Sequence, residues 1–473
     1  MKYPLATYKP FINEISAALR LCERLFISRR GAKRQRLPAI RINRFLFLFL
    51  SCLAVAVRGQ NPAAAPPQTR PVALTGATIH PVSGEPIPNG VIVFDKGIIT
   101  AVGDSATPFD KAATEIIHLP GKHVYPGAIA MGSTVGLQEI AAVRATLDYQ
   151  ETGTLNPNAR ALVAYNTDSE IIPTLRSSGV LIVQATPQGG LLSGTSSVFH
   201  TDGWNWEDAV LMKDDGVWLN WPPYIASSFN FRDFSSGLKR NETRQEHIDQ
   251  LKRFFSDAKA YQALSDPQPV NLRLHAMKGV FEGKANLYIR AEQARDIVES
   301  VGFAHAYGVG RVVIVGGREA GKVTGFLKEN DVSVVLNEVH RLPDHQDADV
   351  YQPYSLPGKL LEGGVRTALS YGNESWRVRN LSYQAGTAAG FSDFLSREEA
   401  LRLVTLYPAR ILGIDQLVGS LETGKHATLI VTEGDMLDMK TNIVELAFIK
   451  GSRADLDDKQ KRLYRKYREK YGR

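Results

Sequence analysis

A six-residue apolar run, Ala128–Ser133, follows the dipeptide Pro126-Gly127 and has the length and composition of a buried β-strand. Similar runs recur downstream, at Val180–Ala185, 285–289, 312–315, 332–336 and 365–370. Segments with helical character lie between or after them, at 291–302, 318–329 and 397–406. Because strands that alternate with helices form parallel sheets, this rhythm predicts an α/β domain over residues 126–413.

Both flanks of this domain are rich in short β-strand patterns. Turn residues separate β-rich runs throughout residues 72–125, and a second β-rich stretch covers residues 414–455. Each set would expose an unpaired sheet edge if it folded alone. We therefore predict that the two sets pair to form one small composite β-sandwich domain.

The charge of the chain is unevenly distributed. It has 56 Lys/Arg and 49 Asp/Glu residues, a formal net charge of +7, but residues 1–59 alone hold twelve basic and two acidic residues. The remainder is slightly acidic. The basic isoelectric point therefore gives no support for nucleic-acid binding, and we expect no nucleic-acid partner.

Residues 1–59 are interpreted as an export signal, followed by a Pro/Ala-rich linker at 60–71. The apolar run at 45–57 is shorter than the roughly 20 residues that cross a bilayer. We expect an exported protein, periplasmic or secreted, with no transmembrane span in its mature chain. An interfacial anchor and a lipoprotein modified at Cys52 are the alternatives.

Both cysteines of the chain, Cys22 and Cys52, lie within the predicted export signal. The mature chain would therefore contain no disulfide and no thiol chemistry.

Residues 203–265 differ from their surroundings because they contain Trp204, Trp206, Trp218 and Trp221. We interpret this range as an insertion over one mouth of the central domain. The tryptophans would then either pack in a core and interface or bind a polysaccharide. The chain ends in a basic helix or tail, residues 456–473, which we interpret as solvated.

Several short motifs occur in a characteristic order along residues 72–453. After Pro126-Gly127 come Gly136-Leu137-Gln138-Glu139-Ile140, a Gly-rich loop at 187–194, Glu398-Glu399-Ala400-Leu401, the run 405–409, and Gly419-Ser420-Leu421 followed by Gly424-Lys425. Together they resemble the imidazolonepropionase-like branch of the amidohydrolase superfamily. The resemblance implies a TIM-like (β/α)8 barrel, with its catalytic residues at the C-terminal ends of the strands.

That family holds one or two metal ions through histidines on strands one, five and six, an acid or modified lysine on strand four, and an aspartate on strand eight. A metal-bound water then attacks a C–N substrate. The matching positions here are Gly132 and Thr134 on strand one, Arg290 on strand five, Gly316 on strand six and Gly372 on strand eight. Glycine has no donor atom, a neutral hydroxyl is a poor ligand, and guanidinium repels cations. We therefore expect the metal ligands to be missing.

Arg290 places a fixed positive charge in that position, where it suits a carboxylate or phosphate. The alternative is a structural ion pair with Glu292 or Glu319. The candidate ligand pocket consists of Ser133, Thr134, Arg290, His340 and Tyr371.

Two polar clusters offer a non-standard site. His340, Asp344 and His345, with Asp347 and Asp349 close behind, are residue types that bind a divalent metal, although a solvated loop has the same composition. The acidic residues Glu139, Asp148 and Glu151 follow strand one and could provide a general acid and a general base.

Two functions remain open. The first is an exported, metal-free relative of the amidohydrolases that binds a small, anionic molecule, or that assembles with itself or with an active amidohydrolase homologue. The second is an active hydrolase of C–N bonds other than peptide bonds, working through a non-standard site. Water that no metal activates is a poor nucleophile, and this favours the first function.

Overall fold

The computed structural model describes residues 63–230, 235–344, 347–372 and 375–472. The predicted export signal, both cysteines and His345 lie outside these ranges.

The strands of the described chain are mostly short, and most strands of the barrel are almost fully buried. They are β1 Val72–Ile79, β2 Ile87–Asp95, β3 Ile98–Gly103, β4 Glu115–His118, β5 His123–Pro126, β6 Ala128–Ser133, β7 Val180–Ala185, β8 Leu192–His200, β9 Val210–Asn220, β10 Ile225–Asn230, β11 Ser235–Arg240, β12 Asn286–Ala291, β13 Val312–Gly316, β14 Ser333–Leu336, β15 Thr367–Leu369, β16 Leu429–Thr432, β17 Val444–Ile449 and β18 Ser452–Arg453.

Most helices lie between or after the strands of the central domain, and the last helix lies near the end of the described chain. They are α1 Ala161–Ala164, α2 Ile171–Arg176, α3 Trp206–Ala209, α4 Arg244–Gln262, α5 Leu272–Ala276, α6 Lys278–Phe281, α7 Ala294–Ala306, α8 Thr324–Glu329, α9 Gln352–Glu362, α10 Leu381–Gly390, α11 Arg397–Arg402, α12 Leu406–Leu412 and α13 Lys459–Tyr471. Single 3₁₀ turns occur at Arg144–Thr146 and Ala320–Lys322, and a longer one at Ser375–Asn380.

Eight strands form the barrel sheet, in the order β6-β7-β8-β9-β12-β13-β14-β15. Strands β15 and β6 meet through the segment between α11 and α12, because Ile129 N–H donates to the Val404 carbonyl at 2.8 Å and Leu369 N–H to the Leu403 carbonyl at 3.0 Å. The Ser370 hydroxyl also donates to the Met131 carbonyl, at 2.6 Å. The sheet is therefore nearly closed, and the predicted barrel of TIM type is confirmed.

Strand β8 departs from the expected parallel arrangement. It is antiparallel to both neighbours, with Ile182 opposite His200 and Leu192 opposite Leu219. The connection from β7 to β8 is the Gly-rich loop at 186–191, where Gly189 and Gly190 have φ of +81° and +62°. Six residues are too few for a crossover between parallel strands, which needs about a dozen. The loop therefore makes a hairpin.

Strand β9 also corrects the prediction for residues 203–265. It lies inside that range and pairs in parallel with β12, so this part of the predicted insertion is a wall of the barrel. Trp218 and Trp221 are buried at 0% and 5% exposure, whereas Trp204 is 69% exposed. Two of the four rings are thus core residues, which weakens the idea of a polysaccharide platform.

Alternate residues of the barrel strands point inward and fill the barrel. The cluster consists mainly of apolar side chains that are at most 3% exposed: Ile129, Met131, Ile182, Val198, Trp218, Tyr288, Val313, Val315, Val335 and Ala368. The interior is therefore a packed core, as in other barrels of this type, and a ligand can reach it only at the strand ends.

The two ends of the described chain share one sheet, ordered β18-β17-β16-β5-β1-β2-β3, with β4 beside β1. The halves join where β5 pairs antiparallel with β16, placing Tyr125 opposite Ile430. Phe94 from one half and Phe448 from the other meet edge to face at 5.0 Å between ring centroids. This confirms that the small domain is composite.

Residues 63–71, predicted as part of a linker, are attached to the rest of the chain. The Gln68 side-chain amide donates to the Phe94 carbonyl and its oxygen accepts from Gly97 N–H, both at 2.9 Å. Ala65 N–H donates to Asp202 at 3.0 Å. Within the described ranges, no helix is long and apolar enough to cross a membrane.

A buried ion pair fixes helix α2 to the end of the hairpin strand β8. The Arg176 guanidinium and the Asp202 carboxylate are 2.6 Å apart, and their side chains are only 4% and 9% exposed. Removing one partner of such a pair leaves an uncompensated buried charge.

We expect Arg176→Ala to lower the free energy of unfolding by about 3–5 kcal/mol, because Asp202 would keep its charge without a counter-ion. Arg160→Ala is the matched control, since Arg160 pairs with Asp214 at the same distance but with side chains 44% and 37% exposed. Its cost should stay below about 1 kcal/mol. Urea denaturation of both variants tests this, and equal losses would contradict it.

Candidate functional site

The indole of Trp218 lies across the top of the packed barrel interior. Its ring stacks on Tyr288 at 4.6 Å between centroids, and the Arg290 guanidinium lies 4.4 Å from its centre. The indole N–H donates to the Ser196 hydroxyl at 2.8 Å, which fixes the orientation of the ring. Sequence analysis identified Trp218 only as one of four clustered tryptophans; the short apolar run at 217–219 was the local signal that could have located it.

The glycines at the strand ends leave no space for larger side chains. At Gly132, φ is +66° and an added Cβ would lie 3.2 Å from the Trp218 ring. At Gly316, φ is +99° and a Cβ would lie 2.4 Å from the Glu292 carboxylate. At Gly372, φ is +55° and a Cβ would meet Asn337 at 3.3 Å. A histidine or aspartate at these positions would be strained in its backbone and would clash.

Arg290 is held by neutral groups. Its guanidinium donates to the Asn220 side-chain oxygen at 2.9 Å, to the Pro187 carbonyl at 3.3 Å and to the Ser193 hydroxyl at 3.4 Å. The predicted partner Glu292 pairs instead with Arg318, at 3.6 Å. Among the described residues, no carboxylate forms an ion pair with Arg290. Burial lowers the pKa of Arg290 to about 9, so the side chain still carries its charge at neutral pH.

Arg290 opens onto a cavity of about 360 Å³ at the ends of β12–β15. The charged and polar groups around it include Glu292, Arg318, Glu338, Arg341 and Tyr371. The other two arginines have counter-ions: Arg318 and Arg341 both contact Asp344, at 2.8 and 3.1 Å. Glu338 pairs with Arg377. Arg290 is therefore the cation of this cavity that retains an unbalanced charge within the described chain.

The other predicted pocket residues are placed differently. Tyr371 shares the cavity with Arg290, and its hydroxyl is 3.3 Å from His340 Nδ1. His340 itself borders a second, open cavity on the far side of Tyr371, where its Nε2 is 2.7 Å from the Thr387 hydroxyl. Ser133 and Thr134 are fully buried, with side chains bonded to Val135 N–H and to Gln138. Of the five predicted residues, Arg290 and Tyr371 therefore share one cavity, and His340 contacts Tyr371 from the second cavity.

The proposed metal cluster is only partly described, because His345 lies outside the described ranges. Asp344 is engaged by two arginines, and both nitrogens of His340 have hydroxyl neighbours. In the described part of the chain, no three His, Cys, Asp or Glu side chains are grouped to hold an ion. A divalent metal at His340, Asp344 and His345 remains a prediction.

The acidic residues after strand one have separate side-chain partners, although the segments of Glu139 and Asp148 pair through Gln138 and Leu147. Glu139 accepts from the Asn166 amide at 3.2 Å, and burial raises the pKa of its carboxyl group. Glu151 is exposed and bonds Thr152, whose N–H and hydroxyl lower the pKa of Glu151. Within the described ranges, no hydrogen bond links Glu139, Asp148 and Glu151.

A buried carboxyl group supports the floor of the site and was not identified from the sequence. Asp215 is 1% exposed and accepts from the Gln184 amide at 2.6 Å and from the Tyr288 hydroxyl at 2.8 Å. Gln184 in turn accepts from Gly132 N–H at 3.0 Å. Burial raises the pKa of Asp215 from its ordinary 3.8 to about 6, although the hydrogen bonds from Tyr288, Ser196 and Gln184 oppose the shift.

The raised pKa makes stability depend on pH. The folded state binds the Asp215 proton more tightly than the unfolded state, so this contribution is complete below about pH 4 and is lost as pH rises through about 6. As pH rises through that window, we expect the free energy of unfolding of Asp215→Asn to increase relative to that of the wild type, by roughly 3 kcal/mol at most. Denaturation midpoints at about pH 4 and pH 7 measure the difference, and a difference that is the same at both pH values would contradict it.

Comparisons with known proteins agree with this architecture. A sequence model of the amidohydrolase family matches residues 365–453. No functionally curated protein matches the chain. An amidohydrolase structure from Thermotoga maritima MSB8 superposes with a TM-score of 0.70 and 24% identity, covering 81% of this chain and 99% of that one.

Two further structures share the fold at lower similarity. An adenosine deaminase from Xanthomonas campestris with bound zinc has a TM-score of 0.50 and 15% identity, covering 86% of this chain and 99% of that one. A Xaa-Pro dipeptidase with methionine in its active site has a TM-score of 0.51 and 14% identity, covering 81% and 100%. The family match over residues 365–453 and the shared barrel fold support a relationship to the amidohydrolase superfamily.

Proposed function

We propose that this chain is an exported amidohydrolase-family protein without a catalytic metal site, and that it binds a small anionic molecule at the mouth of its barrel. The observation that carries the proposal is Arg290. Its charged guanidinium faces the cavity, stacks on Trp218 and is held only by neutral acceptors in the described chain.

The residues present do not fit a divalent cation at the family's usual position. Three of the strand-end positions are glycines, which have no donor side chain and whose positive φ would strain any larger residue, and a fourth is the arginine. A cation placed there would meet a positive charge and no carboxylate, imidazole or thiolate from these positions. The arrangement therefore disfavours metal-activated water and favours recognition of negative charge.

The arrangement suits a carboxylate or a phosphate. A guanidinium has five N–H donors in a fixed fork, and three acceptors occupy part of that set in Arg290. The remaining donors are left for an anion in the cavity. Such an anion would bind them more strongly than a neutral acceptor does. The Tyr371 hydroxyl borders the same cavity and can contact the uncharged part of a ligand.

The rest of the proposal concerns assembly and location. The protein would form a homo-oligomer or a complex with an active amidohydrolase homologue. In such a complex it would bind a ligand, and the homologue would carry out the hydrolysis. Export rests on the basic and apolar pattern of residues 1–59. The competing proposal is an active C–N hydrolase that uses His340, Asp344 and His345, and metal analysis separates it from the first.

We expect protein purified without added metals or chelators to contain far less than one equivalent of Zn, Mn, Fe or Ni. Elemental analysis of the native protein measures this directly. A near-stoichiometric ion that disappears in His340→Ala or His345→Ala would overturn the metal-free proposal and favour the hydrolase. His247→Ala, on the outer helix α4, is the matched histidine control.

We expect succinate or inorganic phosphate to bind the wild-type protein and to raise its thermal midpoint. Arg290→Met keeps an apolar contact with Trp218 but removes the charge, so it should weaken binding at least about tenfold, since a charge-assisted hydrogen bond contributes roughly 1.5–3 kcal/mol. Isothermal titration calorimetry gives the affinity. Arg160→Met, in the exposed pair with Asp214, should bind as wild type does. Equal binding by Arg290→Met would place the anion elsewhere.

A further inference from the structure

The C-terminal helix α13, Lys459–Tyr471, is joined to the rest of the chain at its first turns. Asp458 caps its start and accepts from the Ser177 hydroxyl at 2.6 Å, and Arg462 pairs with Glu170 at 2.9 Å. Gln460 accepts from Thr174 at 2.9 Å. In residues 459–472, Arg462 is half-buried and all the others are exposed. The helix therefore projects from the α2 side of the barrel into solvent.

Its exposed surface has an aromatic stripe. Leu463, Tyr464, Tyr467 and Tyr471 are 42%, 66%, 47% and 65% exposed. At about 100° per residue these four side chains fall within roughly a quarter to a third of the helix circumference. The Tyr467 and Tyr471 rings lie 6.3 Å apart and nearly parallel, one turn from each other. Such a stripe would ordinarily be covered in a soluble protein, because it exposes apolar ring surface.

Cations border the stripe. Lys466 and Lys470 lie against Tyr467 and Tyr471, at 5.8 and 5.3 Å from the ring centres. Together with Lys459, they form no ion pair within the described part of the chain. Residues 459–473 contain eight Lys/Arg and one Asp/Glu, whereas residues 60–458 contain 36 Lys/Arg and 46 Asp/Glu. The helix is thus a positively charged arm on a negatively charged body.

We propose that α13 lies on the surface of a bilayer that contains anionic phospholipid. The tyrosine rings would enter the headgroup region, where aromatic side chains with one polar end are favoured, and the flanking lysines would contact lipid phosphates. This geometry is interfacial, since a helix of 13 residues is too short to span the hydrocarbon. A contiguous Leu/Tyr face favours a membrane over nucleic acid, because phosphate contacts alone require no apolar stripe.

Vesicle flotation with the full chain tests the proposal. We expect binding to mixed phosphatidylcholine–phosphatidylglycerol vesicles, little binding to phosphatidylcholine alone, and release at about 0.5 M salt. A triple variant, Lys459→Gln, Lys466→Gln and Lys470→Gln, should lower the partition coefficient at least about tenfold. Tyr464→Ser, Tyr467→Ser and Tyr471→Ser together should lower it as well, because the aromatic contact is lost while the charge remains.

A control triple of exposed body lysines, Lys111→Gln, Lys328→Gln and Lys440→Gln, makes the same change in net charge and should bind within about twofold of wild type, because these lysines lie off the stripe. Circular dichroism of each variant excludes loss of fold. Equal losses in the control and helix triples, equal binding to neutral vesicles, or tighter binding to a DNA duplex than to the anionic vesicles would each overturn the proposal. An unaltered affinity of the tyrosine variant would also do so.

Discussion

Contact of the Trp218 indole with Tyr288 and Arg290 organises the mouth of the barrel. The indole belongs to the same buried cluster as Met131 and Val315 and stacks on Tyr288, so it continues the packed core up to the site. Its ring also provides the surface on which the guanidinium lies, which compensates part of the cost of removing that charge from water. Because φ at Gly132 is +66° and the edge of the indole would lie 3.2 Å from an added Cβ, a larger residue at 132 would be strained. One side chain therefore determines both the packing of the site and its charge.

The floor and rim of the site are coupled through hydrogen bonds. Gln184 links the Gly132 amide to the Asp215 carboxyl group, and Asp215 holds the Tyr288 hydroxyl. On the rim, Glu292 and Asp344 pair with Arg318, and Asp344 also pairs with Arg341, whereas no carboxylate of the described chain pairs with Arg290. Positive charge at the mouth is thus concentrated on one side chain that the core positions rigidly. That is the arrangement expected of a binding site for an anion.

The sequence predicted strand positions well where the local apolar pattern matches the burial of the strand. Strands β6 and β7 have the predicted bounds, because fully buried strands are continuous apolar runs. Strands β8 and β9 were missed, because Ser193 to Ser197 and Lys213 to Asp215 make both strands too polar for a simple pattern. Asp215, Ser196 and Ser197 are hydrogen-bonded across the sheet, which the sequence does not show. Arg290 and Tyr371 line one cavity, but the motif alignment could not reveal that Trp218 packs under Arg290 or that Ser133 and Thr134 are buried against Val135 and Gln138.

The hairpin between β7 and β8 has an evolutionary consequence. A barrel wall that runs in one direction throughout would require a helical crossover where this chain has only residues 186–191. Point substitutions can exchange a side chain, but they cannot lengthen a connection or reverse a strand. If an ancestor of this protein was a hydrolase with a uniform wall, its descendants could not regain that scaffold by single-residue changes, and selection would have been left to refine whatever the altered mouth could recognise.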